Sequence, residues 1–282
     1  MDETIQKILS NSATYEKTLP LSYSKIKTLL KCPRQYLKRY IEFTKGAEAP
    51  QKEVMVVGSF VHKVLEHCLN KGQSFGWEED AIDFDLTWVQ VQKQFKLTYD
   101  EYCMAQAIRI NTENVFIKLL QAINGYKLHV LPELQICVDK AGGVRPAVPF
   151  KKRLFYGYVD FYAETPKKTK AMLIDYKSHG KTESNAEEAK SQLETYVYYL
   201  FLRNKKLNMI QYGGAYLPDE DIDLNSKLER DSDEFKCVEN RIKNMYSEFI
   251  AKLTAGNFDP VPGKYCEWCS YADTCPEYTK PG

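Results

Sequence analysis

No run of apolar residues in this 282-residue chain is long enough to cross a bilayer, so no membrane partner is expected. Met1 to Thr18 is polar and lacks the apolar stretch of a secretory signal, which places the expected location in the cytoplasm. Neither sign of charge is in excess. The 39 Lys and Arg stand against 38 Asp and Glu, so bulk charge does not mark a nucleic-acid binder, although a local groove would suffice for one. Internal repeats and long low-complexity linkers are also missing, which excludes a repeat array. What is present, 44% hydrophobic and 27% charged residues, supports a sizeable core in one large domain or two small ones.

Eight cysteines remain to be explained. In a reducing compartment they are not readily four disulfides. Three are spaced as Cys266-x2-Cys269-x5-Cys275, a metal-binding pattern one ligand short of a zinc site or a cubane cluster. Cys68, Cys103, Cys137 and Cys237 are scattered and are expected to be buried small apolar residues. Basic residues group at Lys25, Lys27, Lys31, Arg34, Lys38 and Arg39, at Lys151, Lys152 and Arg153, and at Lys167, Lys168 and Lys170. Each group taken singly fits a solvated face as well as a binding face.

Along the chain, residues 1–20 read as a loose arm. Ser22 or Ser24 can cap a helix to about Phe43, which Pro33 should kink or split. A second helix is predicted from Val54 to Asn70, with Val57, Val61, Val64, Leu65 and Leu69 inward, and residues 78–124 continue as helical material. The texture then changes. Residues 127–139 alternate like a strand, with Pro132 arguing for an edge or a bend. Leu154 to Ala163 and Ala171 to Lys177 read as an antiparallel hairpin. A helix over Asn185–Asn204, a strand over Met209–Leu217 and a long helix over Asp233–Ala255 follow. This order suggests an α/β fold with a mixed sheet flanked by helices. The expected divisions are a helical region over 21–125, a core over 126–258 and a cysteine-rich segment over 259–282.

The hairpin carries the chemistry. Asp160 and Asp175 would lie on neighbouring strands, and Lys177, two residues after Asp175, emerges on the same face. Two carboxylates side by side are costly unless a divalent cation joins them, and hard oxygen ligands suit Mg²⁺. Such a cation polarises a phosphate and lowers the pKa of a bound water, while a lysine orients that water or steadies developing negative charge. The main-chain carbonyl of Tyr176 could be a further ligand. Strand–turn–strand segments with charges on one face are common, but both acids here are set among apolar strand residues (Tyr158, Val159 and Phe161; Leu173 and Ile174).

Other signals are weaker alone. His62 lies on an apolar helix face, where a satisfied core histidine is the ordinary reading, and Glu66 one turn on could orient it or face water. Gln192 and Tyr196 are also one turn apart, a spacing that helix-face packing explains equally well. Gly180-Lys-Thr182 is similar to the end of a phosphate loop, but Asp175 stands where that motif needs a glycine. A motor would therefore be a separate partner.

In series, six segments resemble the RecB-like branch of the PD-(D/E)XK nuclease superfamily. They are Leu21-Ser-Tyr-Ser with Cys32-Pro-Arg-Gln-Tyr36, Gly58 with His62 and Glu66, Gly157-Tyr-Val-Asp160, Ile174-Asp175-Tyr-Lys177, Gln192-x3-Tyr196 and the cysteine triplet. The resemblance implies a restriction-endonuclease-like core. It implies His62, Asp160 and Asp175 as ligands for Mg²⁺ or Mn²⁺ and Lys177 as the catalytic lysine, with Gln192 and Tyr196 shaping the site and holding the DNA strand. Glu133 matches an acidic position of some relatives less well. Cys32, in its Cys-Pro-Arg context, becomes the fourth thiolate of a structural 4Fe–4S cluster with Cys266, Cys269 and Cys275, with zinc as the alternative. The implied activity is a metal-dependent DNA nuclease, an exonuclease by family tendency, acting on single strands or DNA ends. Helicase, recombination or CRISPR adaptation proteins are its implied partners, in repair, recombination or phage DNA processing. The alternative is a non-catalytic DNA-binding or assembly subunit that has kept the fold.

Overall fold

The computed structural model describes residues 21–46, 53–75, 82–126, 128–131, 134–139 and 153–278. The expected N-terminal arm and Glu133 lie outside the described residues. The chain divides into two compact units. One comprises residues 51–136 and 158–236, and the other 1–50, 137–157 and 237–282.

The larger unit is built on a five-stranded sheet. Four helices precede it: α3 (Glu53–Phe75), α4 (Phe84–Phe95), α5 (Tyr99–Ala107) and α6 (Arg109–Tyr126). The strands β1 (His129–Leu131), β4 (Phe161–Glu164), β5 (Lys170–Lys177), β6 (Met209–Tyr216) and β7 (Asp221–Glu229) stand side by side in that order. All neighbours are antiparallel except β5 and β6, which run parallel and are joined through helix α7 (Glu183–Arg203). A parallel pair needs such a crossover. The 154–163 segment is not the single strand predicted. It breaks at Asp160, with β3 (Arg153–Val159) before it in a separate two-stranded sheet with β2 (Leu134–Asp139), and β4 after it in the main sheet. Asp160 Oδ2 takes the Tyr176 N–H at 2.9 Å, a side-chain substitute for a ladder bond that lets the strand turn.

Strand alternation sorts β5 into two faces. Met172, Ile174 and Tyr176 enter a core with Val57, Phe60, Val61, Val64 and Leu65 of α3 and Trp88 of α4. The inward residues predicted for α3 are all buried. Ala171, Leu173, Asp175 and Lys177 take the opposite face, where α7 packs over β5 and β6. Thr182 caps α7 by accepting from Asn185 N, so the Gly-Lys-Thr run is a helix start. Strand β7 was not anticipated, because in its run DIDLNSKLE only Ile222, Leu224 and Leu228 are apolar, although Ile222 and Leu224 pack on the core.

The smaller unit begins with α1 (Tyr23–Lys31), capped by Ser22. Pro33 does split the predicted helix. Cys32 is extended, φ −151° and ψ 101°, and α2 (Pro33–Tyr36) restarts behind it. A residue before proline is pushed out of the helical region, so the Cys-Pro pair itself sets Cys32 at a helix junction. A π-turn at Leu37–Ile41 follows. Helix α8 (Asp233–Ala255) begins in the larger unit and ends in the smaller one, where Phe249 meets the Tyr36 ring edge-on at 5.5 Å. The tail then closes on the first helix, with Tyr265 Oη donating to Lys31 O at 2.9 Å across 234 positions of sequence.

Candidate active site

The tripeptide Asp175-Tyr176-Lys177 ends β5 and organises everything around it. Its central residue buries its ring in the core, and that fixes the peptide groups on either side. The Tyr176 N–H is held by Asp160. The Tyr176 carbonyl faces His62 Nε2 at 3.1 Å, and the two rings meet edge-on at 5.5 Å. His62 Nδ1 lies 3.5 Å from Asp160 Oδ1. Gly58, one turn before His62, faces Ser178 just past the end of the strand. A Cβ there would sit 2.8 Å from Ser178 Oγ.

The sheet register pairs Phe161 with Ile174, which sets Asp160 beside Asp175. Asp175 is buried. Burial raises its carboxyl pKa and the neighbouring charge of Asp160 pushes the same way, while Lys177 and His62 oppose them. Lys177 Nζ lies 2.5 Å from Asp175 Oδ2. Burial lowers the Lys177 pKa, but Asp175, Asp160 and Glu188 outweigh it and hold the ammonium above its usual range. For His62 burial again lowers the pKa, and Asp160, Asp175 and the Tyr176 carbonyl more than compensate. Two like charges side by side have each taken a cationic or N–H partner.

Gln192 Nε2 donates to Tyr196 Oη at 3.1 Å on α7, and Glu188, one turn earlier, is the α7 residue that acts on Lys177. Sequence reasoning did not find Glu188, whose only signal is its spacing four before Gln192. Glu66 does not orient His62. It pairs with Lys63 at 2.7 Å, the nearer cation on the same helix. Ser59, His62, Lys63, Phe95, Asp160 and Tyr176 line a cavity of about 270 Å³.

In the smaller unit Cys32, Cys266, Cys269 and Cys275 line one small cavity with Arg34 and Tyr265. Burial raises the Cys269 thiol pKa, and the other three thiols push it the same way. Gly263 N–H donates to Cys266 Sγ at 3.3 Å. The scattered cysteines meet the expectation of burial only in part. Cys68 is buried, its pKa pushed up to about 12 mainly by that burial, but Cys103 and Cys237 are exposed, because each faces outward from its helix. The Cys137 side chain lies outside the described residues.

Among the described residues no three His, Cys, Asp or Glu groups form a ready-made metal cage. The donor chemistry nevertheless fits. An imidazole, two carboxylates and a carbonyl suit a hard divalent cation, and burial and the neighbouring Asp160 both raise the Asp175 carboxyl pKa, a cost such a cation would relieve. Four thiols suit zinc or an iron–sulfur cluster. Arg34 Nε, buried beside them with no hydrogen-bond partner among the described residues, supplies a compensating charge.

The fold and this arrangement of an acidic pair with a lysine at the end of a central strand define the nuclease class that the sequence resembled. The model of the PD-(D/E)XK nuclease superfamily matches residues 20–276, and the chain belongs to that superfamily. No curated protein matches it.

Proposed function

We propose that this protein is a Mg²⁺- or Mn²⁺-dependent deoxyribonuclease, acting as an exonuclease on single strands or DNA ends. The observation that supports it most is the grouping of His62, Asp160, Asp175 and Lys177 around the Tyr176 peptide. When bound, the cation supplies Lewis-acid polarisation of the scissile phosphate. His62, Asp160, Asp175 and the Tyr176 carbonyl hold it. Lys177, kept charged by its acidic neighbours, orients the attacking water and steadies charge on the phosphoryl oxygens. Gln192 and Tyr196 position the strand.

The thiol group is read as a structural staple, a 4Fe–4S cluster in preference to zinc. It ties Cys32 at the α1–α2 junction to the tail and leaves the chemistry to the other unit. A brown anaerobic preparation with acid-labile sulfide supports iron, and a colourless zinc protein moves the assignment to zinc without touching the nuclease reading.

The test is digestion of end-labelled single- and double-stranded DNA with Mg²⁺ or Mn²⁺. Cleavage that needs the cation and vanishes in Asp175→Ala and Lys177→Ala is expected. Folded parent protein that binds DNA and never cuts it would instead establish the non-catalytic subunit.

A further inference from the structure

A second cavity of the larger unit lies on the α7 side of the sheet. Ala186, Ala189 and Lys190 of α7, Gly214 and Tyr216 of β6 and Asp223 of β7 are among its walls, and its volume is about 300 Å³. That is the lower end of the size of small-molecule clefts. Two glycines line it. At Gly213 the β6–β7 register slips, and a Cβ there would lie 1.5 Å from the Asp223 carbonyl oxygen, so the backbones meet where no side chain fits. Gly214 is the register partner of Asp175, and Tyr216 that of Lys177. The floor of the groove is therefore one strand away, about 4.8 Å, from both groups of the active site. Where Asp175 carries its carboxylate, its neighbour has no side chain, and the Tyr216 ring lies over it.

The walls select the occupant. Asp223 is paired with Lys181 at 2.9 Å, and it and Glu187 on the wall disfavour a phosphate. The floor is glycine and tyrosine, and Ser226 supplies a hydroxyl. A flat, weakly polar ring fits this surface, and aromatic walls accept any base. Resting on the nuclease reading above, we propose that this groove receives the nucleobase next to the scissile phosphate, with Lys190 at its mouth meeting the adjoining phosphate. It is a binding subsite and holds no reacting atom.

The test is a two-way cycle. Initial rates are measured on an end-labelled oligonucleotide and on versions carrying one abasic nucleotide at successive positions. In the parent, one abasic position should raise KM about tenfold, within what stacking a single base on an aromatic contributes. Ala186→Leu, which fills the groove, should raise KM similarly on the normal strand and add nothing further on that abasic strand. Ser226→Phe fills the groove from the other wall and guards against a folding defect in the first variant. The proposal is overturned if no abasic position matters to the parent, or if folded variants keep the parent KM, or if the two losses add in full. A parent that cuts no strand sinks the nuclease reading and this subsite with it. A parent that cuts while the losses add sinks the subsite alone.

Discussion

The two units gather their reactive groups by opposite routes. In the larger one, Asp160 and Tyr176 are joined across 16 positions, and the register of one hairpin sets them together. In the smaller one, Lys31 and Tyr265 are joined across 234, and a loop spanning most of the chain must close before the thiols of Cys32 and Cys266 can meet. The first site starts from local strand pairing, receives His62 from 114 positions away, and accumulates charge. The second is a long-range closure around four thiols, with Arg34 beside them. Damage to the first should cost chemistry, and damage to the second should cost stability.

The sharpest way to break this contrast is Asp175→Asn. Cleavage should fall by roughly 10³-fold, the scale on which a key electrostatic group acts, yet the protein should melt at a higher temperature. Asp175 is buried beside Asp160, so removing its charge relieves a cost of folding. Lower activity with a lower melting temperature would overturn the assignment.

Next comes the staple. Closing a loop of this length restrains the unfolded chain by roughly 5 kcal/mol in the chain-entropy picture. Cys269→Ala should therefore lose bound metal and a comparable share of stability, read by denaturant melts with metal analysis. Residual cleavage per folded molecule should stay near the parent value.

The smaller unit contains one charge that sharpens the comparison. Lys25 is buried, and burial lowers its pKa from 10.5 to about 8. Its ammonium lies 5.4 Å from the centre of the Tyr156 ring and 5.6 Å from that of Tyr40. Between about 8 and 10.5 the unfolded chain holds the proton and the folded one has released it, so stability should rise with pH across that window. Below about 8 the cost of burial is present in full. Lys25→Met should flatten the rise, as urea midpoints across the window would show.

The smallest effect belongs to Gln192→Ala. It removes one hydrogen bond to Tyr196, worth about 1 kcal/mol, and should raise KM several-fold with kcat little changed.

Much of this was legible in the residues. The cap at Ser22, the split at Pro33, the inner face of α3 and the long final helix follow from local spacing, and so does the shared face of Asp175 and Lys177. The hidden parts are those that depend on a partner. Asp160 ends one strand because a distant N–H competes for its carboxylate, and no pattern in 154–163 announces that. Strand β7 sets Ile222 and Leu224 against the core, but polar residues fill most of its run. Glu66 turned to Lys63, a choice between two neighbours on one helix that spacing leaves open. Gly213 and Gly214 look like ordinary strand breakers until the register shows what lies beside them.

Tyr176 links the hydrophobic interior directly to the reaction. Its ring is locked among aliphatic side chains while its own amide grips one acid and one imidazole, and its two neighbours in sequence provide the other two working groups. The ring is thus an axle on which all four turn. Repacking around it to gain thermal resistance would rotate the whole constellation, so in this protein interior design and turnover cannot be optimised separately.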